Sequence, residues 1–315
     1  MTAAPKKTLI ENRAAAGVKG ARLMRLASYA AVVVASTLIL AKGAAWLVTG
    51  SVAVLTSLID SALDVLASLI NLIAVRGALE PADAEHRFGH GKAEAVSGLG
   101  QGAFITGSAV FVVYEALHRL LYPEPIAYES IGIAVMVFSI VLTLGLVLFQ
   151  RRAVAVSGSL AIGADSLHYR GDLYMNLSVI AALILTAQFH VDFADPLFAL
   201  VIAGIVIKSA YQIFRRSLDQ VMDREFPDTD RERIRAIVVA HPKALAMHDL
   251  RTRWAGTQPF IQLHLVLDSH LTLLQAHAIS DEIENRIRAA FPAAEVIIHE
   301  DPEGIEEHHP DLAAT

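Results

Sequence analysis

A membrane bundle of six transmembrane α-helices followed by a cytosolic α+β domain is the architecture this sequence predicts, and three observations predict it. The 315-residue chain has a mean hydropathy of +0.48 and only 18% charged residues, too apolar for a soluble protein of that length. Six apolar runs approach the ~20 residues that a hydrocarbon core of about 30 Å demands. After about residue 225 the texture changes, and eight of the thirteen histidines fall in that last part.

The six runs lie at residues 27–48, 52–75, 95–117, 129–149, 160–187 and 195–214. The first two meet at Thr49, Gly50 and Ser51, turn residues that make the stretch a helical hairpin instead of one long helix. Lys6, Lys7, Arg13, Lys19, Arg22 and Arg25 precede the first run without a small-residue cleavage site, which reads as a retained basic tail and not a signal peptide. Arg76, Arg87, Lys92, Arg151, Arg152, Arg215 and Arg216 fall on the same side of the membrane as that tail, whereas the opposite loops carry almost only Arg119. The positive-inside rule therefore puts both termini in the cytoplasm, as an even number of spans requires. The expected organisation is a basic cytosolic tail (1–26), a transmembrane domain (27–215), a linker (216–226), a cytosolic metal-binding domain (227–305) and a flexible tail (306–315).

In the cytosolic part, Asp228, Thr229 or Asp230 is placed to cap a helix over residues 231–240, which His241-Pro242 ends. Strands are expected at 245–253 and 260–268. In the second, Ile261, Leu263, Leu265 and Leu267 alternate with Gln262, His264, Val266 and Asp268. A helix over 273–291, with Leu274, His277, Ile279, Ile283 and Ile287 in partial helical spacing, and a strand at 295–299 complete an α-β-β-α-β order. That order builds a small sheet with helices on one face, a ferredoxin-like arrangement.

The chain has no cysteine, so disulfides and thiolate metal sites are excluded and any metal must be held by nitrogen and oxygen. A net charge of -6 gives no reason to expect nucleic acid as a partner. Asp60 and Asp64 lie one turn apart on one face of the second run, and His168 and Asp172 repeat that spacing in the fifth. Each charge at mid-bilayer costs about 2.5–3.5 kcal/mol on insertion scales, so these groups need partners. Three carboxylates and an imidazole suit a four-coordinate divalent cation such as zinc. Asp60 and Asp64 stand roughly 18–24 Å above Arg76 at the helical rise, a depth that His168 and Asp172 reach from the other direction. The competing reading is that the aspartates cap a helix or pair with Lys42 or Arg170, which explains neither the duplicated spacing nor the imidazole. Asp165, nearer the cytoplasmic entrance, is left outside the site.

Three stretches, Thr56-Ser57-Leu58-Ile59-Asp60-Ser61-Ala62-Leu63-Asp64, Asp165-Ser166-Leu167-His168-Tyr169-Arg170-Gly171-Asp172 and His248-Asp249-Leu250-Arg251-Thr252-Arg253, together resemble the cation diffusion facilitator family, and its bacterial ferrous-iron and zinc efflux branch in particular. The resemblance covers the chain after its basic tail. It implies an inner-membrane homodimer that exchanges cytosolic Zn2+ or Fe2+, with Cd2+ as a further candidate, for protons. The tetrad Asp60, Asp64, His168 and Asp172 would be its transport site and His168 its foremost proton carrier. An all-oxygen set would have pointed to manganese.

The same resemblance assigns a loop metal site to Asp83, His86 and His90, whose spacings of three and four also suit one face of a short helix. The competing reading there is a solvated polar loop. It further assigns a cytosolic binuclear site to His248, His264, His277, His299 and Asp301, with Zn2+ or Fe2+ as ligand and the carboxylate able to bridge two ions. The competing reading makes His264 and His277 plain surface histidines. His241, His270, His308 and His309 match nothing. Lys92 and Asp223 resemble the family's pair at the dimer interface, and Gly98 and Gly102 let helices approach closely. The link 150–158 has no histidine-rich insertion. Two other functional classes remain. A membrane metal sensor without transport would not need the intramembrane tetrad, and an intramembrane hydrolase would need an open metal position and a general base.

Overall fold

Helix formation in the first two thirds of the chain follows from the need to pair every backbone N–H and C=O where no water is available. The computed structural model describes residues 17–50, 52–122, 130–189 and 193–305. The tail residues Lys6, Lys7 and Arg13 and the expected flexible tail with His308 and His309 lie outside the described residues. Six long helices appear: α1 (Gly17–Thr49), α2 (Val52–Ala78), α3 (Ala93–Leu121), α4 (Ser130–Ser157), α5 (Leu160–Phe189) and α6 (Ala194–Val221). Five of them, all but α5, are long and apolar enough to cross a membrane by length and composition. The early part of α5 carries Asp165, His168, Arg170 and Asp172, the residues that lower its hydropathy. A membrane helical domain is therefore present.

The helices outrun the apolar windows because nothing stops them at the windows' edges. α4 continues through Gln150, Arg151 and Arg152 to Ser157, so the link expected at 150–158 shrinks to Gly158 and Ser159. Gly158 makes the turn at φ 69°, and the Ser159 hydroxyl accepts from the Ile162 N–H to start α5. α6 likewise runs through 216–221, residues expected in a linker, and the division between the two compact units of the chain falls between Met222 and Asp223. Gly50, at φ 63° with its N–H on the Trp46 carbonyl, closes α1 where the hairpin turn was expected.

In this helical unit α1 packs on α2 and α4, α3 on α6, and α5 on α4, α6, α3 and α2. Ala27, Ala31 and Ala35, spaced by four and fully buried, form a stripe of small residues that lets α1 approach its neighbours. Leu40, Leu47, Ile73 and Leu121 stand exposed, as residues that face lipid must. Gly98 and Gly102 lie on the α3–α6 contact: a Cβ at Gly98 would collide with the Ser217 hydroxyl, and one at Gly102 would lie 3.3 Å from the Phe214 Cβ.

The second unit has α7 (Asp228–Val239), β1 (Ala246–Ala255), β2 (Gln258–Leu267), α8 (Leu273–Ala290) and β3 (Glu295–Pro302), in the expected α-β-β-α-β order. The sheet is mixed, in order β1-β2-β3, with β1 antiparallel and β3 parallel to β2. Ile261, Leu263, Leu265 and Leu267 are buried under Ile279, Ile283 and Ile287 of α8 and Ile234 and Val238 of α7. Thr272 and Gln275 form a reciprocal capping box that starts α8. Two expectations fail. Leu274 and His277 face outward, because the buried face of α8 is the 279-283-287 row. The N-cap of α7 is Pro227 with no side-chain cap, and Asp228 and Asp230 serve in the first turn, where negative charge suits the helix dipole.

The two glycines of α3 differ in what opposes them, and substitution should reveal it. Gly102→Val should lower the unfolding temperature of the detergent-purified protein, overpacking costing about 1–3 kcal/mol, because the Phe214 Cβ and Cα that it meets are fixed to the α6 backbone and cannot rotate aside. Gly98→Ala should be closer to neutral, since the Ser217 hydroxyl has only to rotate. Thermal unfolding of the two variants side by side checks this, and a larger loss in the Gly98 variant contradicts it.

Candidate functional site

The helical periodicity that places Asp64 on α2 and His168 with Asp172 on α5 also turns all three into one cavity of about 560 Å³. His168 Nε2 lies 2.8 Å from Asp64 Oδ1, its N–H donating to the carboxylate, and 3.6 Å from Asp172 Oδ2. One donor atom from each of the three falls within 4.8 Å of the others, the spacing a shared cation needs. Asp60 lines the same cavity but is exposed and stands outside that close group. Three of the four expected ligands are therefore gathered.

The imidazole is held from several sides. Phe104 of α3 presents an edge to it with ring centroids 5.9 Å apart. The next residue, Tyr169, is buried and shares a 2.7 Å hydrogen bond with Ser68 of α2, one turn beyond Asp64. Its hydroxyl also reaches the Ala31 carbonyl of α1 at 3.5 Å. Ser68 and Tyr169 thus tie α1, α2 and α5 together one turn from the Asp64–His168 contact. Asp165, left outside the site on sequence grounds, is buried and accepts from Gln150 Nε2 of α4 at 2.6 Å. Arg170 donates to the Ser166 carbonyl, and Lys42 donates to the Ser57 carbonyl and the Ser61 hydroxyl.

Asp83, His86 and His90 also converge, but not on a helix: residues 81–92 form turns, with Gly89 at φ 74° and its N–H on the His86 carbonyl. The helical reading of their spacing is corrected accordingly. Asp83 Oδ1 accepts from the backbone N–H groups of Glu85 and His86, and its carboxylate lies 3.5 Å from His86 Nδ1 and 3.4 Å from His90 Nε2. The His86 N–H, chiefly, holds the Asp83 carboxyl below its ordinary range, outweighing the small desolvation that acts the other way.

The third cluster is written across the sheet. His248 pairs with His264 in the β1–β2 register and His264 with His299 in the β2–β3 register, so three imidazoles form a row with ring centroids 5.0 and 4.6 Å apart. Asp301, two residues beyond His299 and buried, collects them: His264 Nδ1 at 2.9 Å, His248 Nε2 at 3.0 Å and His299 Nε2 at 3.2 Å. Its Oδ1, buried, faces His299 Nε2 at 3.2 Å but completes no hydrogen bond among the described residues. Donor atoms of His248, His264 and Asp301 lie within 4.8 Å of one another, a set that fits a zinc-like or iron-like cation, with His299 beside it. His277, by contrast, is exposed on α8 and pairs with Asp281 at 3.5 Å, outside this group. Asp249, missed as a candidate, places Oδ2 3.8 Å from His264 Nε2; it sits at a bulge between His248 and Arg251 with φ 46°. Its adjacency to His248 was the available signal.

Lys92 donates to the Val221 carbonyl at 3.4 Å, and Asp223 lies 3.5 Å from Arg253 Nη1. They belong to different units of the chain.

The family model for the cation efflux transmembrane domain matches residues 28–222, and that for the cytoplasmic domain of cation efflux proteins matches residues 226–303. The cation-efflux pump FieF of Shewanella oneidensis is 48% identical over 283 residues, covering 90% of this chain and 95% of its own. FieF of Klebsiella pneumoniae is 44% identical over 284 residues, covering 90% and 94%. A solved chain studied as the zinc transporter CzrB, in its zinc form, is 38% identical, covers 27% of this chain and 99% of its own, and has a TM-score of 0.26.

The Ser68–Tyr169 pair makes a double-mutant cycle informative. Tyr169→Phe should lower the unfolding temperature, because it leaves the buried Ser68 hydroxyl without that partner, a cost of about 1–3 kcal/mol. Ser68→Ala added to it should cost less than the sum of the two single changes. Strict additivity in thermal unfolding would show that the hydroxyls do not act as a pair.

Proposed function

This chain belongs to the cation efflux, or cation diffusion facilitator, family and is a transporter and not an enzyme, and we propose that it exchanges a divalent transition metal of the cytosol, Zn2+ or Fe2+ and secondarily Cd2+, for protons across the bacterial inner membrane. One observation carries the reading: donor atoms of Asp64, His168 and Asp172, from two long helices of the bundle, lie within 4.8 Å of one another inside one cavity. Asp60, one turn before Asp64 on the same cavity wall, completes the tetrad when the helices move. All six long helices span in this reading, α5 being carried across by partners for its charged residues. Both termini face the cytosol, and the second unit is a ferredoxin-like domain through which two copies associate, with Lys92 and Asp223 at the interface.

Proton exchange follows from the ligands themselves. A side chain must shed its proton to bind metal, so protons and metal compete for the same atoms and affinity falls as pH falls. An imidazole ordinarily titrates nearest neutrality, which makes His168 the foremost proton carrier. Protons entering from the more acidic periplasm would release metal outward. His248, His264, His299 and Asp301 form a regulatory metal site in the cytosolic unit, and Asp83, His86 and His90 a secondary, exposed one. Bound metal at the cytosolic site favours one arrangement of the dimer. A membrane metal sensor is the second reading; a sensor working through its cytosolic unit has no use for ligands between α2 and α5.

Sealed vesicles holding the purified protein under a pH gradient test the proposal, with flux of Zn2+, Fe2+, Cd2+ and Mn2+ and internal pH followed together. Asp64→Ala and His168→Ala should abolish flux and leave a folded dimer. Wild-type-like flux in either variant would sink the site assignment, zinc movement without opposing proton movement the coupling, and no flux in the wild type the transporter reading.

His264→Ala or Asp301→Ala should weaken zinc binding by the domain from residue 226 onward, which has its own hydrophobic core, and should reduce full-length transport without eliminating it. Unchanged titration curves in both variants would remove the cytosolic site.

A further inference from the structure

The wall of the cavity that holds Asp64, His168 and Asp172 carries a basic side chain to which the metal chemistry above gives no part. Lys42 reaches from α1 to α2, where its ammonium donates to Ser61 Oγ at 2.7 Å and to the Ser57 carbonyl at 3.1 Å. Those two residues flank Asp60, and Lys42 lines the same cavity as Asp60, Asp64, His168 and Asp172. Two hydrogen bonds fix a side chain that otherwise has much rotamer freedom to lose, so its position is specified. A lysine within an apolar span is costly in its own right, and beside a site that gathers cations it opposes the cargo. Such a group persists only where its charge is used.

Charge counting shows the use. Three carboxylates and a neutral imidazole around a divalent ion sum to one negative charge, held where the low dielectric makes net charge expensive. The Lys42 ammonium cancels it. We infer that Lys42 is a fixed counter-charge of the transport site: it makes the metal-loaded cavity electrically neutral and, by repelling the ion, limits its affinity so that the ion can leave. The inference rests on the transport reading given above. Lys42 touches neither metal nor proton in this role; it acts on the ion through the field at the ligands.

Charge and hydrogen bonding can be separated at this position. Lys42→Gln retains a donor for Ser61 and removes the charge, whereas Lys42→Arg retains the charge. Full-length protein is titrated with Zn2+ by calorimetry at mildly alkaline pH, where protons compete least, and zinc flux is measured in sealed vesicles over a range of zinc concentrations. Lys42→Gln should bind zinc about 10-fold more tightly and show both KM and kcat reduced by a similar factor, the repulsion of a unit charge on the wall of the same cavity having been removed. Lys42→Arg should stay within about 2-fold of wild type in both. A merely structural role for Lys42 predicts weaker binding in the Gln variant. Binding equal to or weaker than wild type in Lys42→Gln, a lowered KM without a lowered kcat, or an Arg variant shifted as far as the Gln variant overturns the inference. Should the Gln variant not fold, Lys42→Met makes the same charge change and is held to the same outcomes. Wild-type protein that neither binds nor moves zinc defeats the transport reading and this inference with it; wild-type activity with an indifferent Lys42→Gln defeats the inference alone.

Discussion

The 2.8 Å contact between His168 on α5 and Asp64 on α2 is the interaction around which the polar interior of the helical unit is arranged. Carboxylates inside an apolar bundle are tolerable only if something answers their charge, and here the answer comes from a different helix. That requirement fixes the depth of α5 against α2. It also explains the neighbours: the Ser68–Tyr169 hydrogen bond one turn away locks the same two helices at the same level, and Gln150 from α4 satisfies the buried Asp165. α5 can therefore carry Asp165, His168, Arg170 and Asp172 in its first half and still pack on the five other long helices. Asp165 and His168 meet partners on α4 and α2, whereas Arg170 and Asp172 pair within α5 itself.

The cytosolic unit solves a similar problem with a sheet. Strand register alone aligns His248, His264 and His299, because directly opposed residues on adjacent strands share a face. Asp301 follows two residues after His299, so the pleat returns its side chain to that face. The bulge after His248 places Asp249, at φ 46°, where Arg251 holds its carboxylate at 2.9 Å and the far ring nitrogen of His264 lies 3.8 Å away. The hydrophobic side of the same strands, Ile261 through Leu267, packs on α8 and makes the row rigid.

What the sequence discloses here is governed by periodicity. Asp60 with Asp64 and His168 with Asp172 are legible because a four-residue spacing can only mean one helical face, and Ile261 to Leu267 because alternation can only mean one face of a strand. Features set by chain reversal are not legible in that way. The spacing of Asp83, His86 and His90 fits a helix on paper, yet turns bring the three together, since Gly89 in the left-handed region breaks the helical path. α4 runs to Ser157 because arginines near a helix end do not stop it, and Gly158 does. His277 looked like a ligand and is exposed beside Asp281, while Leu274 looked like core and faces out; both follow from which row of α8 meets the sheet, a tertiary choice that spacing does not decide. Asp60 lines the cavity without joining the close group, because sharing a helical face with Asp64 leaves it one turn, about 5.4 Å, further along the axis.

Each of the three clusters pivots on one carboxylate, and the three differ in how that carboxylate is held. Asp83 is exposed and aimed by backbone N–H groups of its own turn, so water competes for it and its orientation survives only as long as the turn does. Asp301 is buried at the end of a strand, with three imidazoles already facing it and an oxygen that accepts no hydrogen bond. Asp64 stands between these, partly enclosed, with its one strong partner on another helix. Preorganisation therefore increases from the loop to the helices to the sheet. A site that must release its ion on every cycle is best built where the ligands come from two helices that can shift, and a site that must hold its ion is best built on one sheet. In the proposed reading, the donor set between α2 and α5 serves release and the one across β1, β2 and β3 serves retention, a division of labour that these placements allow.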